Sequence, residues 1–371
     1  IPYTDFMYYI TLGHSPKMSL LELSARKLEV SIISDQLVST DNSDILTIAP
    51  ELAGITRLIK EVQVTSPDSL ISDLTSLVRD SGLKNHAITN YSEHPISEHH
   101  LYSLRSTVKE TRPVRFLSFE TSDHSLIAIR KQHVAEFSVI EHNSTLVIGK
   151  TVWIQDADDW TQRDRSRPYQ DIKRGMLPPK IARLMVNLAT GGENGVLLDP
   201  FCGTGTILME AMLLGNQVVG SDNDSSAIAG TKRNISWLQS EYSLPTENCN
   251  LHTVDATHID QHISNIDFIA TEPYLGPLIS HKLIPTHQKL FNTARGLDKL
   301  YRGALRSWSK MLKEGGRVVI VIPEFHAYGT VIPTLKIDTI DSLGYNYVDS
   351  VAYSKPGAIV VRNITILEKK N

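Results

Sequence analysis

The segment at residues 199–206, Asp-Pro-Phe-Cys-Gly-Thr-Gly-Thr, directly follows the apolar run Val196-Leu-Leu198. Gly203 and Gly205 would let the backbone turn tightly and approach a ligand, as glycine-rich loops do between a parallel strand and a helix. Dinucleotide-binding folds have a similar loop. Asp199, however, would repel a pyrophosphate and attract a cationic sulfonium or ammonium group. The segment therefore favours S-adenosylmethionine over a dinucleotide as the ligand.

Acidic residues also end the next two predicted strands. Asp222 closes a strand at 217–222 and would accept hydrogen bonds from ribose hydroxyls, a role shared with dinucleotide enzymes. Asp255 follows the strand at 250–254 and is a good acceptor for an adenine amino group, whereas Asp224 is predicted to cap the following helix. The predicted cofactor-binding residues are Asp199, Phe201, Gly203, Thr204, Gly205, Asp222, Asn223, Asp255, Ala256 and Pro178.

The fourth predicted strand ends in Thr271-Glu-Pro-Tyr274. An enzyme that methylates an exocyclic amine of a base must hold the NH₂ group by hydrogen bonds and stack the base. The amine attacks the sulfonium methyl in line, so catalysis is chiefly positioning, together with an acceptor for the released proton. The predicted catalytic residues are Thr271 and Glu272, whose hydroxyl and carbonyl would hold the amine, Pro273, which would fix the turn, and Tyr274, which would stack on the base. A proline turn with a buried tyrosine is the alternative.

These strand ends must lie along one edge of a sheet. From residue 196 onward, short apolar runs alternate with helical segments, and this alternation predicts right-handed βαβ units around a parallel sheet. A helix at 180–189 precedes the first strand. Strands at 346–349 and 358–367 predict an antiparallel hairpin at the sheet edge. The predicted fold class is therefore α/β.

Residues 3–150 show the mixed pattern of small α+β modules. The predicted helices are 51–58, 68–79 and 97–109, and the predicted strands are 6–12, 36–40, 45–48, 61–64, 86–89 and 114–117. A hairpin-like pair of strands is predicted at 126–129 and 145–148. His99 and His100 fall in a predicted helix, where adjacent side chains face different directions, and no metal site is predicted.

A polar, basic segment at 162–175, interrupted by Pro168 and Gly175, is typical of an interdomain linker. Its cations, and Arg183 nearby, are also candidates for contacts with RNA phosphates. The predicted RNA-binding residues are Arg163, Arg165, Arg167, Lys173, Arg174 and Lys180. A solvated linker without a nucleic-acid contact is the alternative.

The composition excludes several classes of protein. With 371 residues, 41% of them hydrophobic, the chain is long enough for one large α/β domain and smaller ones. A net charge of −4 gives no global basic signature, so a nucleic-acid partner must be bound by a local patch. Two cysteines, Cys202 and Cys249, are too few for a disulfide framework and indicate a reducing compartment, the cytoplasm. No apolar stretch is long enough for a membrane span.

Together the motifs resemble those of the tRNA guanosine N2-methyltransferases that contain a THUMP domain and act on the guanosine at position 10. The resemblance covers nearly the whole chain and is strongest at Arg163-Asp164, Arg167-Pro168, Asp171, 175–182, 199–205 and 271–274, with further matches at 12–22 and 52–60. It implies a ferredoxin-like domain at 1–66, a THUMP-like RNA-binding domain at 67–155, a linker at 156–175 and a Rossmann-like class I methyltransferase domain at 176–371. It also implies tRNA capture by the N-terminal half and methyl transfer from S-adenosylmethionine to N2 of guanine.

The fourth motif departs from that family's usual Asp-Pro-Pro-Tyr, because Thr271 and Glu272 occupy its first two positions. Thr271 offers one neutral oxygen where Asp would bring a charge and two oxygens. The target base and the number of methyl groups therefore stay open, and Glu272 is a candidate for the missing carboxylate. An amino-methyltransferase acting on ribosomal RNA or DNA and a non-catalytic RNA-binding paralogue are the alternatives. The need for a small accessory subunit also stays open.

Overall fold

The computed structural model describes residues 6–94, 96–111, 113–117, 123–171, 175–246, 248–279 and 284–370. The chain divides into two compact units, Ile1–Thr161 and Gln162–Asn371. The division falls within one helix, Ala157–Arg165. Among the described residues, no helix has both the length and the apolar character that crossing a membrane requires.

The first unit is built on a mixed sheet. Its strands are β1 (Tyr8–Leu12), β2 (Ser31–Ser34), β3 (Leu37–Thr40), β4 (Ile55–Thr65), β5 (Asn85–Tyr91), β6 (Arg115–Phe116), β7 (Ala135–His142) and β8 (Thr145–Ile154). Its helices are α1 (Pro16–Ala25), α2 (Ile45–Ile48), α3 (Leu70–Asp80), α4 (Glu98–Lys109) and α5 (Asp123–Lys131), and α6 (Ala157–Arg165) continues into the second unit. The strand order is β2-β3-β1-β4-β8-β7-β5-β6.

The N-terminal and C-terminal parts of this unit have separate hydrophobic clusters. One cluster includes Leu23 and Leu58, and the other includes Leu74 and Val108. The long strand β4 pairs with β8 and joins the two parts in one sheet. The predicted modules at 1–66 and 67–155 therefore share a sheet while each packs around its own apolar residues.

Three predicted elements of the first unit are wrong. The predicted strand at 126–129 belongs to α5, where Leu126 and Ile129 are buried and the residues between them are half-buried, a spacing that suits a helix. The partner of β8 in its hairpin is β7 instead. The predicted strand at 45–48 is the single helical turn α2. The predicted helix at 51–58 is absent, because a 3-10 turn ends at Glu51 and β4 follows.

The second unit is an α/β domain. Its strands are β9 (Val196–Asp199), β10 (Gln217–Asp222), β11 (Cys249–Thr253), β12 (Ile266–Thr271), β13 (Leu312–Ala327), β14 (Thr330–Pro333), β15 (Tyr345–Tyr353) and β16 (Val360–Lys369). Its helices are α7 (Pro179–Thr190), α8 (Thr206–Leu213), α9 (Ser225–Tyr242), α10 (His287–Ser309) and α11 (Ile337–Ser342).

The sheet of the second unit has the strand order β11-β10-β9-β12-β13-β16-β15. The five strands β9 to β13 are parallel, and β16 is antiparallel to both of its neighbours. The predicted α/β class and the antiparallel edge hairpin are thus confirmed. The chain adds β10 and β11 on one side of β9 and then crosses to β12 on the other. Ligands of open α/β sheets bind at the carboxyl ends of the strands beside such a reversal.

Helix α10 holds two of the loops at that edge. Its buried residues recur every three or four positions and face the sheet. Trp308 Nε1 donates a hydrogen bond to the carbonyl of Ala256 at 3.2 Å, just after β11. The hydroxyl of Tyr301 donates to the carbonyl of Tyr274 at 2.8 Å, just after β12. These two hydrogen bonds from α10 therefore fix the backbone of both loops.

A buried charge cluster joins helices α6, α7 and α8. Glu210 of α8 accepts hydrogen bonds from Arg163 Nε of α6 at 2.8 Å and from Arg183 Nε of α7 at 2.9 Å. All three side chains are buried. Each ion costs several kcal/mol to desolvate, so such charges are stable only when they are paired. The cluster thus fixes the relative positions of the three helices.

Replacing Glu210 by alanine would leave two buried guanidinium groups without their carboxylate. We expect Glu210→Ala to lower the free energy of unfolding by about 3–5 kcal/mol, the usual cost of removing one partner of a buried ion pair. Asp298→Ala is the matched control, because Asp298 pairs with Arg302 on the exposed side of α10, where an ion pair contributes about 0–1 kcal/mol. Urea unfolding of the full chain measures the free energy of unfolding of both variants. An equal decrease in the two variants would contradict the importance of the buried cluster.

Candidate cofactor and substrate site

A cavity of about 730 Å³ lies at the ends of β9, β10, β11 and β12. Ligand sites for small molecules and cofactors have volumes of roughly 300–1,000 Å³. The predicted site residues that line the cavity are Asp199, Phe201, Gly203, Thr204, Asp222, Asn223, Asp255, Ala256, Glu272, Pro273 and Tyr274. The fold therefore brings the four predicted strand ends to one site.

Other lining residues were not predicted. They are Gly175, Met176, Leu177, Pro200, Cys202, Thr206, Ile207, Leu275, Gly276, Pro277, Leu278, Leu300 and Arg362. Pro200, Cys202 and Thr206 belong to the predicted cofactor segment 199–206, and several others are neighbours of the predicted motifs and could have been included by adjacency. Leu300 and Arg362 had no local signal, because they come from α10 and β16, far from the motifs in the sequence.

The glycine-rich loop has the backbone that its residues predict. Gly203 and Gly205 have φ angles of 50° and 81°, in the left-handed region that favours glycine. Thr231 of α9 donates a hydrogen bond from Oγ1 to the carbonyl of Gly203 at 2.7 Å. A Cβ atom on Gly205 would lie 2.7 Å from Thr231 Cγ2. Gly205 does not line the cavity, so its predicted contact with the ligand is replaced by close packing of the loop on α9.

Two of the predicted acidic residues hold loop backbone. Asp222 accepts a hydrogen bond from the N–H of Gly203 at 3.1 Å and one from the N–H of Asp224 at 3.0 Å. Asp224 caps α9, as predicted. Asp255 accepts hydrogen bonds from the hydroxyl and the N–H of Thr257 at 2.6 and 2.7 Å, and these two bonds lower its pKa. Asp255 therefore contributes a negative charge to the cavity at neutral pH.

Asp199 is a buried carboxyl at the end of β9. Its Oδ1 accepts hydrogen bonds from Thr271 Oγ1 at 2.7 Å and from the N–H of Phe201 at 3.1 Å. Burial raises the pKa of Asp199 to about 7, the two hydrogen bonds oppose that rise, and the nearby Asp222 and Glu272 carboxylates add to it. A cation in the cavity would favour the ionised form.

Thr271 does not have the role that the sequence predicted. Its side chain is 0% exposed and does not line the cavity. Its hydroxyl proton is donated to Asp199 across the gap between β12 and β9. The prediction that the Thr271 oxygen holds the acceptor amine is therefore wrong, because that oxygen is closed off from the cavity. Thr271 positions Asp199 instead.

The three residues after Thr271 do line the cavity. Tyr274 is 57% exposed, so its ring is available to a planar partner, and its carbonyl is held by Tyr301. Burial raises the pKa of Glu272, and the charge of Arg362 opposes this rise. Arg362 Nε lies 3.6 Å from Glu272 Oε1. The cavity thus has a carboxylate, a guanidinium group and an aromatic ring at its β12 side.

Two arginines of the basic segment are buried and cannot contact RNA phosphates. Arg163 pairs with Glu210 in the charge cluster. Arg167 donates a hydrogen bond from Nη1 to Thr206 Oγ1 at 2.6 Å. The prediction that Arg163 and Arg167 bind RNA is therefore wrong, because their side chains are buried inside the second unit. Arg183 is buried in the same way.

The rest of the basic segment has a mixed outcome. Arg165 and Lys180 are exposed and stay predicted RNA contacts. Lys173 and Arg174 lie outside the described residues. The predicted linker at 156–175 begins with helix α6, so its first half is regular structure.

Pro178, a predicted cofactor residue, does not line the cavity. It is the N-cap residue of α7, and its carbonyl accepts hydrogen bonds from the N–H groups of Ile181 and Ala182, both at 3.0 Å. The cavity lining on this side comes from the preceding residues, Met176 and Leu177. The proline motif therefore fixes the start of the helix.

Asn234 ties the segment before the cavity to the glycine-rich loop. Its Oδ1 accepts a hydrogen bond from the N–H of Tyr169 at 2.8 Å. Its Nδ2 donates to the carbonyl of Tyr169 at 2.9 Å and to that of Thr204 at 2.8 Å. The Tyr169 ring packs so closely on Gly230 that a Cβ there would lie 2.1 Å from it. Tyr169 is therefore a fixed part of the second unit.

The cavity fits S-adenosylmethionine better than a dinucleotide. Four carboxylates line it, those of Asp199, Asp222, Asp255 and Glu272, and Arg362 is the one Lys or Arg side chain among its described lining residues. This charge attracts a cation and repels a pyrophosphate. The Gly203 N–H, which a phosphate would need, already donates to Asp222. Among the described residues, no three His, Cys, Asp or Glu side chains are arranged so that they could hold one metal ion.

The raised pKa of Asp199 makes the affinity for a cation depend on pH. Below its pKa of about 7 the carboxyl is protonated and neutral, and above it the carboxylate attracts the sulfonium group. We therefore expect the Kd of S-adenosylmethionine to fall about five- to tenfold between pH 6.0 and pH 7.5. Isothermal titration calorimetry at the two pH values measures the change.

The control for this pH dependence is Asp199→Asn, which cannot ionise. This variant should bind the cofactor more weakly than the unchanged protein at pH 7.5. Its Kd should also lack the pH dependence that the ionisation of Asp199 causes. In Thr271→Val the hydrogen bond that lowers the Asp199 pKa is absent, so the midpoint should move to higher pH. The same Kd at both pH values in the unchanged protein would contradict an ionising Asp199 in the cofactor site.

Comparison with protein families supports a methyltransferase domain. A family model described as an RMKL-like methyltransferase domain matches residues 166–340. A second model, described as a DNA methylase, matches residues 86–233. The first match contains all four strand ends of the cavity, whereas the second ends within α9.

Two archaeal relatives are tRNA (guanine(10)-N2)-dimethyltransferases. The chain is 33% identical over 143 residues to the protein of Methanocaldococcus jannaschii, which covers 37% of this chain and 39% of that protein. It is 30% identical over 184 residues to the protein of Methanothermobacter thermautotrophicus, which covers 49% of each. The matches therefore span less than half the length of these two relatives.

One solved structure matches almost the whole chain. A possible methylase from Clostridium difficile 630 has a TM-score of 0.50 and 15% sequence identity, and the match covers 99% of each chain. At this level of identity the likeness shows a shared fold. It extends the structural similarity to both units.

Proposed function

We propose that this chain, whose residues 166–340 match the model of the RMKL-like methyltransferase domain, transfers the methyl group of S-adenosylmethionine to the exocyclic N2 amine of a guanosine in tRNA. The guanosine at position 10 is the first candidate, because the two archaeal relatives are named for it. The observation that supports the proposal most directly is the cavity, in which a cofactor site rich in carboxylates adjoins Glu272, Pro273 and Tyr274.

The cofactor side of the cavity has a role for each acidic residue. Bound S-adenosylmethionine would supply an electrophilic methyl group activated by the sulfonium charge. Asp199 would face the cationic part of the cofactor, Asp222 would accept hydrogen bonds from ribose hydroxyls, and Asp255 would accept one from the adenine amino group. Asp199 and Asp222 are held by hydrogen bonds from the backbone of the glycine-rich loop, so little reorganisation is needed on binding.

The acceptor side of the cavity suits a flat base with an amine. Tyr274 would stack on the base, because its ring is exposed while its carbonyl is fixed by Tyr301. Pro273 restricts the backbone between Glu272 and Tyr274. The acceptor nitrogen would attack the methyl group in line, and the side chains contribute chiefly by holding the base in that direction.

The RNA side of the proposal has two parts. Exposed Arg165 and Lys180 are candidates for phosphate contacts. The first unit would capture the tRNA as a THUMP-like module, a role that the sequence resemblance implies. A tRNA substrate and two cysteines agree with action in the cytoplasm.

A second candidate function is amine methylation of another nucleic acid. The match of residues 86–233 to a DNA methylase model favours it. Both candidates use the same cavity and cofactor, so the product decides between them.

Identification of the methylated nucleoside tests the proposal. The purified chain is incubated with labelled S-adenosylmethionine and unmodified tRNA, ribosomal RNA or duplex DNA, and the digested products are separated by mass spectrometry. We expect N2-methylguanosine or N2,N2-dimethylguanosine from tRNA, and Asp222→Ala should lower its yield at limiting cofactor because a ribose contact is lost. Methyladenine or methylcytosine as the product would support the second candidate. Activity of the chain by itself would show that it needs no accessory subunit.

The buried hydroxyl of Tyr301 should affect the rate of methyl transfer to RNA and hardly change the binding of the cofactor. In Tyr301→Phe the Tyr274 carbonyl loses its donor, so we expect kcat/KM for RNA to fall about tenfold through misplacement of the Tyr274 ring. Tyr345→Phe is a matched control, because Tyr345 is equally buried and donates to the carbonyl of Leu305 at 2.9 Å, away from the cavity. Both changes should cost about 1 kcal/mol of stability. An equal effect of both on methyl transfer would contradict the positioning role.

A further inference from the structure

Glu272 differs from the other carboxylates that line the cavity. Asp199, Asp222 and Asp255 each accept hydrogen bonds from neighbouring groups of the protein. The Glu272 side chain is 19% exposed, its Oε1 is buried, and no described residue donates a hydrogen bond to that atom. Buried polar atoms nearly always have a partner. An unpaired carboxylate oxygen in a ligand cavity therefore indicates that the donor belongs to the ligand.

Arg362 provides a charge beside Glu272 without satisfying it. The distance of 3.6 Å from Arg362 Nε to Glu272 Oε1 is too long for a hydrogen bond. The other ionisable groups that influence or are influenced by Glu272 are Asp199 on β9, Tyr301 on α10 and Tyr353 on β15. Burial raises the pKa of both tyrosines. Arg362 is thus the cation beside Glu272 among the described residues of the cavity.

We propose that Glu272 and Arg362 recognise the Watson–Crick edge of guanine, the carboxylate accepting hydrogen bonds from N1–H and N2–H and the guanidinium group donating to O6. This inference rests on the proposed function, in which the N2 amine of guanine receives the methyl group. An acceptor and a donor side chain lie next to each other at the end of β12, as this edge requires. The usual motif of the family that the sequence resembles has proline at the position of Glu272, so proteins with that motif lack this carboxylate.

The two oxygens of a carboxylate favour guanine over the other bases that have an exocyclic amine. In guanine the atom next to the amine is N1–H, a second donor, so both oxygens gain a partner. In adenine and cytosine the ring nitrogen next to the amine is an acceptor, and its lone pair would face a negative oxygen. Bases extruded into an active site are recognised through this edge. The Glu272 carboxylate would therefore reject adenine and cytosine by leaving one oxygen unpaired and repelled.

Glu272 is also placed to accept the proton that methylation releases. As the bond between N2 and the methyl carbon forms, the carbon–sulfur bond breaks and its electron pair stays on sulfur. The proton from N2 passes to Glu272 and then to solvent, so that charge and atoms balance. General bases of this kind contribute about 10²- to 10⁴-fold to rate.

Exchange of one carboxylate oxygen for an amide nitrogen tests the recognition. In Glu272→Gln the new N–H₂ group would oppose guanine N1–H, but it can donate to N1 of 2-aminopurine, which keeps the amine and lacks N1–H and O6. The substrates are ligated tRNAs with guanine or 2-aminopurine at position 10. We expect the unchanged protein to prefer guanine by about 10- to 100-fold in single-turnover methyl transfer. Glu272→Gln should methylate guanine about 100-fold more slowly and lose most of that preference.

Binding gives a second measurement that needs no turnover. The fluorescence of 2-aminopurine reports whether the base leaves the RNA stack, and S-adenosylhomocysteine occupies the cofactor site without reacting. We expect Glu272→Gln to bind the 2-aminopurine tRNA about tenfold more tightly than the unchanged protein does. Glu272→Asp keeps the charge and should recover part of the guanine preference. The matched control is Glu314→Gln, an exposed residue at the start of β13, at the opposite end of the parallel strands, which should behave as the unchanged protein.

The outcomes separate this inference from the proposed function. If the unchanged protein methylates the guanine tRNA and Glu272→Gln retains its rate and its preference, Glu272 does not recognise guanine, while the proposed function stands. If the unchanged protein methylates no tRNA guanosine, the proposed function fails, and equal binding of the 2-aminopurine tRNA by both proteins then overturns the recognition as well. Thermal melting of each variant shows whether it is folded. If Glu272→Gln does not fold, the rate and the guanine preference of Glu272→Asp are compared with those of the unchanged protein instead.

Discussion

The site depends on one buried hydrogen bond, from Thr271 Oγ1 to Asp199 Oδ1, 2.7 Å long. It joins the ends of β12 and β9, the adjacent strands between which the order of the sheet reverses. Burying a carboxyl group without hydrogen-bond donors would cost free energy. Asp199 has two donors, the hydroxyl of Thr271 on β12 and the N–H of Phe201 in the loop after β9. This bond turns Thr271 inward, so that the next residue, Glu272, lines the cavity. The positions of Asp199 and Glu272 at the ends of β9 and β12 are thus linked through Thr271.

Buried donors elsewhere hold the loops around this centre. Helix α10 contributes Trp308 and Tyr301, whose side chains fix the carbonyls of two loop residues after β11 and β12. Asn234 of α9 joins the glycine-rich loop to the segment at Tyr169. Glu210 pairs with two arginines and fixes the three helices that precede and follow β9. The loops can therefore keep their backbone conformations while their side chains line an open cavity.

The electrostatics of the cavity separate its two proposed tasks. The carboxylates of Asp199, Asp222 and Asp255 follow the first three strands and favour a cationic cofactor. Glu272 and Arg362 lie at the fourth strand, where a donor and an acceptor side by side suit the edge of a base. The pKa of Asp199, about 7, lies close to neutrality, because burial opposes its ionisation while hydrogen bonds favour it. A cationic ligand supplies the remaining stabilisation of the charge.

The sequence by itself determined the parallel sheet, the glycine-rich loop and the four strand ends. Each of these follows from a local pattern: apolar runs that alternate with helical segments, closely spaced glycines, and acidic residues at the ends of strands. Tertiary structure decided which of those residues face the ligand. Thr271 was assigned to the amine, and Arg163 and Arg167 to RNA, yet all three are buried against partners from distant segments. Arg362 had no local signal, because it reaches the cavity only through the antiparallel pairing of β16 with β13. Burial and partnership depend on contacts between segments far apart in the chain, and no local period encodes them.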